Sequence, residues 1–188
     1  AVIAMIYHMF YGMQKSYGDL EGALAIMANG ALILQFPLAH SFLLSQRGQK
    51  ILSLLGPKDL AISLSTTSFT IVASIQLFAL FMLWSPSKIV FELPFEFLIY
   101  ILPILYCLSW FLLIVATIDA GLEVQSGALG WISVVARKKP KFPELPTTGL
   151  YRIIRHPIYA SFFLAVLTVP TWTADQIVVS LILGGYCI

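Results

Sequence analysis

The sequence predicts an all-α, multi-pass transmembrane helical bundle, and three observations carry that prediction. Only 11% of the 188 residues are charged and 59% are hydrophobic, whereas soluble domains carry roughly 25% charged residues. Residues 22–44, 61–84 and 97–117 contain no Lys, Arg, Asp or Glu, and each reaches the ~20 residues that a helix needs to cross a bilayer. Backbone groups in lipid must bond within their own segment, so such runs fold as helices. With the shorter apolar runs added, about five to six helices are expected in a single integral membrane domain, residues 1–188.

The elements follow in order. Residues 1–12 (AVIAMIYHMFYG) are apolar from the first and too short to span; His8 within them is expected to be structural. The chain opens without Met and closes inside the apolar run "QIVVSLILGGYCI" with no polar flank, so truncation at both ends is expected. A charge-poor start without a small-residue cleavage signal argues against a signal peptide. After the first full span, "RGQKILSLLG" alternates basic and apolar faces as an interfacial helix does, and Gly56-Pro57 ends it. Residues 85–96, with two prolines, read as a short loop. Residues 118–157 form the longest non-spanning segment. The apolar stretch "LGWISVV" predicts order there, and Pro140, Pro143 and Pro146 predict a semi-rigid strap. Residues 158–170 are too few to span a bilayer. A turn through Pro170 and Thr173, the latter as an N-cap, predicts a C-terminal helical hairpin of 158–169 and 174–188.

Basic residues orient the bundle. Arg47, Lys50 and Lys58 follow the first full span, and Arg137, Lys138, Lys139, Lys141, Arg152 and Arg155 follow the third; Lys15 and Lys88 are left for the other side. The positive-inside rule makes the basic side, with 45–60 and 118–157, cytoplasmic. The net charge of +2 therefore concerns topology and lipid headgroups, not nucleic acid. Cys107 and Cys187 lie in apolar runs without metal-type spacing, so no metal site is expected from them.

The stretch that carries chemistry is "GLYRIIRHPIY", residues 149–159. Pro157 disfavours helix at His156 and suits the first helical position, so a helix is expected to start there with Arg155 and His156 at its N-terminus. That end already carries partial positive charge, and two arginines beside it point to an anion. Tyr151 and Tyr159 add aromatic faces suited to a cation. A small zwitterion with a carboxylate and a sulfonium would fit this mixed site. The simpler reading of the residues alone is that these arginines bind phospholipid headgroups at the interface, as juxtamembrane arginines commonly do.

"GLYRIIRHPIY" resembles the Arg-His-Pro-x-Tyr signature of membrane methyltransferases: isoprenylcysteine carboxyl methyltransferase, phospholipid methyltransferases, and the methanethiol S-methyltransferase group with the related NnrU-type proteins. "LAHSFLLSQRGQKIL", "WSP", "TIDAGLEVQSGALGW" and "LTVPTWT" are similar to landmarks of the methanethiol group, in the same order. The resemblance implies that the bound zwitterion is S-adenosylmethionine and that the acceptor is a small apolar thiol or a lipid. It gives Arg155 and His156 catalytic positions, and Tyr151, Arg152, Arg155, His156, Pro157 and Tyr159 cofactor-binding ones. Ser161 stands where the wider signature has Gly. Asp119-Ala120 and "LEVQSG" stand where the methanethiol group has a His-Phe pair and a Phe-Gly-Leu-Arg-Gln stretch. The resemblance also implies a paired-carboxylate motif after the last helix, past Ile188.

Other residues offer alternatives. His40, near the end of its span beside Ser41, is an intramembrane ionisable group. A similar His-Ser site in zeta-carotene isomerases implies haem, for which His40 and His156 would be ligands. A non-catalytic membrane subunit is the third reading. Asp119 and Glu123 read either as a base for the acceptor or, more simply, as a solvated helix end. Asn29, Gln35, Ser74 and Gln76 read as interhelical hydrogen bonders, and Trp84, Tyr100 and Trp172 as interface anchors.

Overall fold

The structure of the chain, a computed structural model, describes residues 1–55, 57, 60–143 and 146–187. Gly56 and Lys58, read above as a helix stop and a basic flank, part of the proline strap (144–145), and Ile188 lie outside the described residues. Among the described residues the chain is helical: α1 (Val2–Phe10), α2 (Gly22–Leu44), α3 (Gln46–Ser53), α4 (Ala61–Leu83), α5 (Leu98–Asp119), α6 (Leu122–Gln125), α7 (Ala128–Val135), a 3-10 turn (Gly149–Arg152), α8 (Pro157–Leu167) and α9 (Ala174–Gly185). The helices α2, α4 and α5 are long and apolar enough to cross a membrane. The protein is an integral membrane helical bundle.

Polar side chains fix the register of the spans. Gln35 Nε2 donates to the Gln76 carbonyl at 3.1 Å, and Gln76 Nε2 returns a bond to the Gln35 carbonyl at 3.3 Å. Asn29 donates to the Ser85 carbonyl (2.8 Å) and accepts from the Ser85 amide (2.9 Å). Pairing 35 with 76 and 29 with 85 sets α2 antiparallel to α4. Such bonds matter here because lipid tails supply little hydrophobic drive between helices.

The core lies where α1 meets α4, α5, α8 and α9. Met5, Met9, Leu80, Phe81, Tyr106, Trp110, Val166 and Val179 form it, and the Tyr106 hydroxyl donates to the Ile6 carbonyl at 2.8 Å. The short α1 is thus part of the bundle. His8 is buried, with Nε2 3.4 Å from Met82 Sδ and Nδ1 3.4 Å from Ser16 Oγ, as its structural assignment requires.

The described residues of segment 118–157 are ordered around α7. Gly127 and Gly130 let α7 lie directly on α4: a Cβ at Gly130 would strike the Ser63 carbonyl. The Thr67 hydroxyl donates to the Gly127 carbonyl at 2.5 Å. The expected hairpin is present as α8 and α9, and Thr173 caps α9 by accepting from the Gln176 amide at 3.0 Å. The turn between them is held against the 85–97 loop by a single antiparallel bridge between Val90 and Thr173.

One expectation fails at this end. Trp84 is not an interface anchor: it is 2% exposed, and its indole N–H donates to Asp175 Oδ1 at 3.0 Å. Asp175 is itself 5% exposed and its Oδ2 accepts from Gln14 Nε2 (3.0 Å), the Ser87 amide (2.8 Å) and the Ser87 hydroxyl (2.7 Å). A carboxylate this deep is tolerable because four donors replace its water. Tyr100, by contrast, is 74% exposed, as an anchor should be.

Candidate functional site

The opposite end of the bundle collects the residues that the motif singled out. The antiparallel pairs α2/α4 and α5/α8 bring the ends of α2 and α5 and the start of α8 to one side, together with Arg47, Lys50, Arg137–Lys139, Arg152 and Arg155. Pro157 occupies the first turn of α8 and is buried. Its ring fixes φ and spares an N–H that would have no partner at a helix start. His156 is the N-cap residue, but its side chain makes no capping bond. The first amides of α8 therefore remain open to a ligand.

Arg155, His156, Tyr159, Ala160 and Phe163 line an open cleft of about 380 Å³, with Ile154 and Cys187. Positions 156, 159, 160 and 163 follow the three-and-four spacing of one helix face. The rings of His156 and Tyr159 meet edge to face with centroids 6.0 Å apart. Among the described residues, neither Arg152 nor Arg155 makes an ion pair or a hydrogen bond, and both are exposed. The cleft thus offers the uncommitted Arg155 guanidinium, open helix amides and two aromatic faces, with the uncommitted Arg152 just outside it.

Tyr151 and Arg152 belong to the 3-10 turn just before the cleft and do not line it. Burial, with the Asp119 carboxylate and Tyr159 adding to it, pushes the Tyr151 phenol above its ordinary pKa. Asp119 is not the solvated helix end expected from the sequence. It is half-buried and accepts from the Leu150 amide at 2.8 Å. Glu123 is exposed on α6.

His40 lies beside the site. Its ring packs against Phe36, Phe69 and Tyr186, at 5.3, 4.9 and 6.1 Å, and its Nδ1 is buried without a partner among the described residues. Ser41 bonds the Tyr186 hydroxyl at 2.8 Å. Since Cys187 lines the cleft and Tyr186 packs on His40, His40 and His156 both border the residues that follow α9. Sequence reasoning did not anticipate Ala160, Phe163 or Cys187 as lining. The 3.6-residue period of the helix after Pro157 would have supplied the first two.

Comparison with known proteins finds methyltransferases among the relatives of this chain. The chain is 25% identical over 174 residues to a methanethiol S-methyltransferase of Pseudomonas deceptionensis, covering 90% of this chain and 65% of that protein. It is 23% identical to the enzyme of that name from Pseudomonas strain GM41, over 87% of this chain and 62% of the relative. Against methanethiol S-methyltransferase 1 of Bradyrhizobium diazoefficiens it is 25% identical over 85% of this chain and 55% of the relative. The likeness to these methyltransferases runs over most of the chain. The chain spans less than two thirds of the length of these relatives. No family model and no solved structure matches it.

Proposed function

We propose that the protein is a membrane-embedded, S-adenosylmethionine-dependent methyltransferase acting on a small thiol or lipid-like acceptor. The observation that carries this is the cleft at the start of α8, where uncommitted Arg155 stands beside His156, Tyr159 and open helix amides. The names of the relatives supply the reaction class.

The residues suit the amino-acid end of that cofactor. Arg155, with Arg152 behind it, binds the carboxylate, because guanidinium favours paired hydrogen bonds to two oxygens. The α8 amides add donors to the same anion. Tyr159 and His156 orient the sulfonium region through their ring faces, and buried Pro157 keeps the backbone from moving. Bound there, the cofactor supplies a methyl group for in-line displacement from sulfur, so alignment contributes more than acid–base help. A thiol acceptor reacts as its thiolate and reaches the cleft along the apolar side formed by Ala160 and Phe163.

The basic end of the bundle faces the cytoplasm in this reading, as the distribution of Lys and Arg requires. Anionic lipid headgroups then surround Lys138 and Lys139. The test is transfer of a labelled methyl group from S-adenosylmethionine, by the full-length protein in detergent or vesicles, to methanethiol, longer alkanethiols and phospholipid. Transfer to any of these supports the reading and ranks the acceptors. No transfer to any of them, with intact fold and no binding of S-adenosylhomocysteine, overturns it.

A further inference from the structure

Asp119 closes α5 with a half-buried carboxylate for which the reading above has no use. Its Oδ2 accepts from the Leu150 amide at 2.8 Å. Gly149 makes this approach possible. Its φ is +59°, a region that favours glycine, and a Cβ there would collide with the Asp119 carboxylate.

Leu150 is the hub of the basic turn. Its amide is held by Asp119, and its carbonyl accepts from the Ile153 amide at 3.0 Å and the Ile154 amide at 2.9 Å. Arg152 comes just before that pair and Arg155 just after it. The far end of the segment is fixed at buried Pro157, and the His156 carbonyl accepts from the Ala160 amide at 3.1 Å. Both guanidiniums therefore hang between two anchors, one in α8 and one supplied by α5. An acid suits the second anchor, because a carboxylate accepting from a backbone amide makes a stronger bond than a neutral acceptor.

We propose that Asp119 is a positioning residue: by pinning Leu150 it holds the Gly149–Arg152 turn so that Arg155 and His156 meet the cofactor's carboxylate. The proposal rests on the methyltransferase reading of the cleft, and it makes the end of α5 part of the cofactor site without contact to the cofactor.

The test uses full-length protein in detergent with Asp119→Ala and Asp119→Asn, and three readouts. Amide hydrogen exchange at Leu150, Ile153 and Ile154 should quicken on the order of tenfold in Asp119→Ala, as for loss of one hydrogen bond to a charged group. Affinity for S-adenosylhomocysteine should fall by a similar factor, about tenfold. In turnover, KM for S-adenosylmethionine should rise while KM for the acceptor holds; a protein merely losing folded molecules would lose kcat with both KM values unchanged. Asp119→Asn, which keeps an acceptor oxygen without the charge, should recover only part of each effect. If the three amides are freed but cofactor affinity and KM stay parental, the positioning role is overturned. If exchange at Leu150 does not change, the latch itself is wrong. If the parent protein binds no S-adenosylhomocysteine although Asp119→Ala frees the amides, the latch stands and the methyltransferase reading falls, taking the positioning role with it.

Discussion

Replacing Asp175 is expected to loosen the end of the bundle opposite the cleft. The carboxylate answers four donors: the Trp84 indole, Gln14 Nε2, and the amide and hydroxyl of Ser87. In Asp175→Ala the Trp84 N–H, 2% exposed, is left unpaired, which costs about 1–3 kcal/mol. Ser87 is exposed and a cavity of about 360 Å³ borders Asp175, so water replaces part of what Ser87 and Gln14 lose. The total is expected near 2–4 kcal/mol. Asp175→Asn keeps the shape but turns one acceptor into a donor. Its NH₂ then faces either the indole or the Ser87 and Gln14 donors, and a loss of about 1–3 kcal/mol is expected. The assay is reversible unfolding in detergent followed by circular dichroism. Trp84→Phe made in the Asp175→Ala background should cost less than the same change in the parent, because the orphaned donor is gone. A parental midpoint for Asp175→Asn would refute the reasoning.

Three further outcomes are expected. In a chain lacking Cys107 and Cys187, cysteines at Lys50 and Lys138 should react with an impermeant reagent from one side of the membrane and a cysteine at Glu92 from the other; labelling of all three from one side contradicts the topology. A double-mutant cycle on Gln35→Leu and Gln76→Leu should give a coupling of roughly 0.6–1.7 kcal/mol, the range of interhelical bonds in bilayers, and zero coupling would mean the reciprocal bonds are absent. Gly130→Val should lift α7 from α4, because a Cβ meets the Ser63 carbonyl. Limited proteolysis should then cut near residues 126–136 faster than in the parent, and an unchanged cleavage pattern would contradict the docking.

The spans were legible because lipid makes a single demand of them: an apolar run long enough to cross must be a helix. The start of α8 was legible for a local reason, the conformational limits of proline at 157 and of the residue before it. Thr173 was legible for the same kind of reason, a hydroxyl ahead of an apolar run. What could not be read were pairings between distant segments. Trp84 looks like an interface anchor because tryptophans near span ends often are; only its meeting with Asp175, 91 positions on, makes it a buried donor. Asp175 lies two residues after a predicted cap, where an acid is ordinary, so nothing local marks it as buried. Asp119 likewise reads as a polar helix end until Gly149 brings the Leu150 amide against it. In the site, the face of α8 was implicit in helical spacing. Cys187 joins the cleft only through the packing of α9 on α8.

The account turns on whether Arg155 grips an anionic cofactor or a lipid headgroup. Calorimetric titration of the full-length, detergent-solubilised protein with S-adenosylhomocysteine, which keeps the carboxylate, decides this. A charge-assisted bond to a partly buried anion contributes on the order of 1.5–3 kcal/mol, so Arg155→Ala should weaken binding roughly 10- to 150-fold. Arg155→Lys should recover only part, since an ammonium cannot form the paired fork, and Lys138→Ala should bind like the parent. Parental binding by Arg155→Ala, with loss in Lys138→Ala, would make "RIIRHPIY" a lipid anchor and contradict the account.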